Sequence, residues 1–127
     1  MKVRGSRTAL AFGGCLATVL IGCATSMSPS QFNEALPKAT KSRFLGRTAA
    51  NDAVSAGQCR VLVADRKYTA PIGLTLNGEV KGAARGIDEW VAADSGNAYS
   101  VGDFTWATVT DFGDTQLTVR FDTLMCK

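Results

Sequence analysis

The stretch FTWATVTDFGDTQLTVRFD, residues 104–122, decides how the chain folds. Two alternating segments, 104–110 and 115–122, flank Asp111, Phe112, Gly113 and Asp114, whose composition suits a four-residue hairpin loop. That register sets Phe104 against Phe121, Trp106 against Val119 and Thr108 against Leu117 on one face. Thr105 with Arg120, Ala107 with Thr118 and Val109 with Gln116 fill the other. One face is therefore core and the other mostly wet, as an antiparallel sheet packed against a helix requires. Continued alternation puts Leu124 and Cys126 on the wet face, so a bulge near Asp122-Thr123, or cover from the N-terminal segment, is expected.

Working outward, Val80, Ala83, Ala84, Ile87, Trp90 and Val91 recur at helical spacing and predict a helix over 77–93 with Asn77 as N-cap. The alternative is a hairpin turn at Asn77-Gly78. It would set Leu76 opposite Glu79 and Leu74 opposite Lys81, mixing charge with core, so the helix is preferred. Gly78, Gly82 and Gly86 each weaken such a helix by up to ~1 kcal/mol relative to Ala. They project opposite the apolar stripe and read as surface glycines, with close approach by a partner as the other reading. Arg60 to Asp65 contains the apolar run Val61-Leu62-Val63-Ala64 and suits a strand buried on both faces. Tyr68, Ala70, Ile72, Leu74 and Leu76 recur at period two, but Pro71 interrupts the ladder, so a strand here is an edge. Ser28-Pro29-Ser30-Gln31 has the form of a capping box with Pro at the first helical position, predicting a short helix through Leu36 that Pro37 stops.

The N-terminus carries a separate message. Lys2, Arg4 and Arg7 precede an uncharged run from Thr8 to Gly22, a positive region followed by an apolar one. The run is too short to cross a bilayer, which needs about 20 apolar residues, and it ends in Leu20-Ile21-Gly22-Cys23. This ending resembles the lipobox of bacterial lipoproteins. The resemblance is confined to residues 1–24 and implies cleavage before Cys23, a diacylglyceryl group on its thiol and usually acylation of the new amine. More than one chain matters, because a single chain binds a membrane only marginally. Cys15 follows Gly13-Gly14 but has Phe12 where an aliphatic residue is expected. Ala24 is not the Asp that resembles an inner-membrane retention signal, so the outer membrane, on its periplasmic side, is the expected address. The organisation expected is a removed leader (1–22), an acylated tether with a short helix (23–57) and a disulfide-closed domain (58–127).

Three of the 14 basic residues lie in the leader, so the rest of the chain balances its 11 acidic ones and the overall charge of +3 gives no nucleic-acid reading. Lys38, Lys41, Arg43 and Arg47 fall near the anchor, where a basic tether could rest on anionic headgroups or simply be solvated. In an exported chain Cys59 and Cys126 are expected to pair. Closing the loop between them is worth ~4 kcal/mol in the chain-entropy relation.

The sequence contains no histidine, which removes Ser-His and Cys-His nucleophile pairs and the commonest transition-metal ligand. No cofactor or metal site is expected. Asp111 with Asp114, or Asp88 with Glu89, could form an acid-base pair, although such carboxylates usually serve solvation. Trp90 and Trp106 read as core; Phe112, at a hairpin tip, is the best candidate for contact with a partner. The expected fold is α+β: an antiparallel sheet of three or four strands, one main helix, a disulfide and a lipid-anchored tether. The expected function is a non-enzymatic binding or envelope-assembly module with an envelope protein partner. An inhibitor, immunity or surface-exclusion lipoprotein plugging its target with the 111–114 loop is the first alternative, and a small carboxylate-dependent cell-wall hydrolase the second.

Overall fold

The computed structural model describes residues 26–127. Leu20, Ile21, Gly22 and Cys23, and with them the leader and lipobox, lie outside the described residues. In chain order the elements are α1 (Pro29–Ala39), β1 (Arg43–Phe44), α2 (Arg47–Ser55), β2 (Cys59–Thr69), α3 (Leu76–Ala93), β3 (Ala98–Thr108) and β4 (Thr115–Cys126). The fold is α+β, with a four-stranded mixed sheet in the order β1-β3-β4-β2. β4 runs antiparallel to both neighbours, and β1 adds to β3 in parallel.

The 104–122 segment forms the expected hairpin in a different register. Phe104 lies opposite Val119, Trp106 opposite Leu117 and Thr108 opposite Thr115. The turn sits one residue earlier than the 111–114 reading, because Thr110 organises it. Its Oγ1 accepts from the amides of Phe112 and Asp114 and donates to the Asp114 carboxylate. Gly113 takes a left-handed φ of +86°, and its amide donates to the Thr110 carbonyl. Each residue of β3 consequently meets a partner two places earlier in β4, and a shift of two preserves both faces. Leu117, Val119 and Phe121 are fully buried, as expected.

The helix between β2 and β3 is capped two residues earlier than predicted, by Thr75, whose Oγ1 accepts from the Gly78 amide at 2.9 Å. Val80, Ala83, Ala84, Ile87 and Val91 face the sheet as the spacing requires. Gly78 is exposed as expected, but Gly82 and Gly86 depart from the surface reading: they are buried, the first against Pro71 and Ala70, the second against the Tyr68 ring. β2 ends at Thr69, and after the Ala70 amide bonds the Leu117 carbonyl the chain leaves the sheet, so Ile72 and Leu74 belong to a loop and not to an edge strand. The 60–65 run is not buried on both faces either. It lies in an edge strand with register shifts between Val61 and Val63 and between Val63 and Arg66, and it leaves Val61 43% exposed.

The described part of the segment read as a tether, residues 26–57, is folded. Ser28 and Gln31 make the predicted capping box, but α1 continues past Pro37 to Ala39. Pro37 falls in the last turn, where its missing amide costs a single helical bond, and the Thr40 amide reaches back to the Leu36 carbonyl. Phe32 and Leu36, four apart on one face, are fully buried, and Phe32 stacks on Phe104 with centroids 4.0 Å apart. α2 then crosses to the opposite face. There Ala50, Leu45 and Ala53 pack on Cys59, Ala98, Leu124 and Cys126, so the broken alternation at the end of β4 is resolved by cover from the N-terminal segment. The disulfide joins Cys59 to Cys126, which are directly opposite in the β2–β4 register.

Candidate functional site

Strand direction fixes which loops meet. β3 runs toward the hairpin turn and β2 runs toward residue 70, so the 70–75 and 109–114 loops emerge at the same end of the sheet. The disulfide marks the other end. α3 begins beside Thr115, through Glu79, and finishes beside Thr123, through Asp94. α1 runs the same way, with Phe32 against Phe104 and Thr40 bonded to Tyr99. Its N-terminus therefore also belongs to the loop end, where Ser26 and Met27 share a cleft with Thr75, Leu76 and Asn77.

This loop end gathers unburied apolar side chains. Leu74 is 103% exposed and Phe112 94%, with Ile72 and Val109 at 48% and 42%. Asp111 and Gly113 are exposed beside Phe112, and Asp114 is exposed though held by Thr110. The site thus includes the predicted Asp111–Asp114 loop, but adds Ile72, Leu74 and Val109. Pro71 and Gly73, two loop formers within three residues, were the signal that the 70–75 stretch leaves the sheet.

Beneath the loops lies Glu79, 2% exposed, one of whose oxygens accepts from Thr115 while the other, Oε1, has no partner. Burial raises its pKa, the bond from Thr115 and the nearby Leu117 backbone oppose this, and the Asp114 charge adds to the rise. At the far end of α3, Arg66 binds both carboxylate oxygens of Asp94, stacks 3.9 Å over the Trp90 ring, and shares Asp94 with the Thr123 hydroxyl. The Arg66 bond holds the Asp94 carboxyl below its ordinary value against the effect of burial, helped by Thr123. Tyr99 is pushed up to about 12 by burial, despite its bond to Thr40, with Asp88 adding to the rise.

Of the other candidate pair, Glu89 is exposed and Asp88 is engaged in the fold. Asp88 accepts the backbone amides of Lys41 and Ser42, which fastens the end of α1 to α3. Arg47 pairs with Asp122 at 2.8 Å, so at least this member of the basic segment is tied to the sheet and is not part of a free tether. The paired Cys59 and Cys126 lie at the opposite end from Phe112. Among the described residues no cluster of three acidic or cysteine side chains is arranged to hold a metal, and no helix is long and apolar enough to cross a membrane.

No protein-family model matches the chain, and neither a curated protein nor a solved structure matches it.

Proposed function

We propose that this protein is a lipid-anchored module of the cell envelope that works by contact, as a binding or assembly unit held at the periplasmic face of the outer membrane through acyl chains on Cys23. The observation that carries the reading is the near-complete exposure of Leu74 and Phe112 on two loops at the same end of the sheet. Covering large apolar side chains of this kind is favourable, and grouped at one end they mark a contact surface. The leader and lipobox supply the address, and the N-terminal segment reaches the domain at that same end.

Two measurements test it. Labelled palmitate should enter the wild type and fail to enter Cys23→Ser. Crosslinking in intact cells should give products that disappear in a Leu74→Ser, Phe112→Ser double variant of unchanged abundance, and identical products from both would count against the reading. The isolated position of Phe112 at a hairpin tip also suits an inhibitory or exclusion lipoprotein that plugs a target. Deleting residues 111–114 would then abolish inhibition and leave the disulfide-closed fold intact.

A further inference from the structure

The apolar end consists of two loops far apart in sequence, and it coincides with the end at which the described chain begins. Ser26 lines the cleft beside Thr75 and Asn77, and Cys23 is three residues earlier in the chain. Three residues span at most ~10 Å when fully extended. A small domain is about 30 Å across, so a bilayer that holds acyl chains on Cys23 lies close to this end of the domain. The apolar side chains and the anchor are thereby brought to one end of the domain.

Charge indicates which kind of surface. Asp111 and Asp114 flank Phe112. Of the basic residues between 38 and 47, Lys38 lines the cleft that holds Ser26, as Lys81 does, whereas Lys41 follows the end of α1 at its Asp88 clamp, Arg43 pairs with Ala98 and Arg47 reaches Asp122, these three toward the disulfide end of the sheet. The loop end therefore offers an apolar contact with acidic neighbours at Phe112 and two separate lysines in the cleft, which is not the run of four to eight basic residues that reads anionic headgroups.

We propose that Ile72, Leu74, Val109 and Phe112 seat the domain on zwitterionic lipid beside its own anchor, so that the bilayer covers the loop end and the Cys59–Cys126 end points away. This rests on the anchored reading above and names what its contact surface touches.

The test uses the full-length lipoprotein in intact cells, carrying the photoreactive p-benzoylphenylalanine in place of Leu74, Phe112 or, at the far end, Gln58. All three positions are exposed, and formation of the disulfide reports that each variant has folded. Irradiation should add a phospholipid mass to the peptides containing 74 and 112 and none to that containing 58, and washing envelopes in high salt before irradiation should leave the adducts unchanged. Protein adducts at 74 and 112, or no lipid adduct there while palmitate labelling is normal, would overturn the seating and leave the anchored reading standing. Failure of palmitate to label the chain would overturn both.

Discussion

Gly86 of α3 lies so close beneath Tyr68 of β2 that a Cβ added to it would collide with the phenol ring. The helix can approach the edge strand only because this position has no side chain. A surface glycine in a helix is stabilised by up to ~1 kcal/mol on change to Ala, whereas overpacking a filled site costs about 1–3 kcal/mol. Gly86→Ala should therefore destabilise the protein in urea unfolding by about 1–2 kcal/mol, and Tyr68→Ala in the same chain should remove most of that loss. A gain in stability from Gly86→Ala would show that the ring is not held there.

Glu79 should make stability depend on pH in the acid-favouring direction. Its carboxyl is buried with one oxygen unpartnered, and its pKa in the fold is raised. The stability it contributes is complete below the unfolded value of ~4.3 and is lost as pH rises through the higher value in the fold. Glu79→Gln keeps the shape and removes the charge, so it should raise stability at neutral pH by roughly 1–3 kcal/mol, the scale of an unmet buried polar group. The gain should shrink as pH falls, and a difference that is constant with pH would refute the assignment.

Asp94 runs the other way. Its folded pKa is lowered by Arg66, so its contribution is present above the unfolded value of ~3.9 and is lost as pH falls through the lower folded value. Asp94→Asn leaves Arg66 with a neutral partner in a site where the two side chains are 24% and 8% exposed. A cost of about 2–4 kcal/mol is expected from breaking a largely buried pair. Because Arg66 lies over Trp90, tryptophan fluorescence should change in the folded variant as well, and an unchanged spectrum would argue against the stack.

Replacing Cys59 and Cys126 together by Ser should lower stability by about 2–4 kcal/mol, given the 67-residue separation they close. The same loss should follow reduction of the wild type, measured as a shift in the urea midpoint. Equal midpoints for oxidised and reduced protein would mean that the pairing of β2 with β4 already confines the chain.

Much of the central architecture was legible because local and tertiary preferences agree there. The Ser28 capping box, the apolar stripe of α3 and the two faces of the β3–β4 hairpin each follow from spacing alone. The disulfide followed from exclusion of Cys23 and Cys15 together with the inferred compartment. Residues 43–55 were not legible. α2 buries only Ala50, so it carries no stripe to betray it, and β1 contributes two residues whose parallel pairing with Ala98 and Tyr99 depends on the whole fold. The period-two run from Tyr68 to Leu76 misled for a related reason: alternation describes a strand only while a neighbour continues beside it, and after Ala70 none does. Half the contact surface suffered accordingly. Phe112 stood out beside a turn signal, while Leu74 was hidden in an apparent strand.

The position of β4 has a consequence for how the molecule is made. It is the last element in chain order, yet it occupies the interior of the sheet, and every hydrogen bond that β2 makes within the sheet goes to it. A nascent polypeptide growing from its amino end thus holds its helices and its edge strand β2 without their scaffold until β4 emerges. The sheet cannot close before β4 is in place, so a chain cut within β4 would be stranded short of its native state.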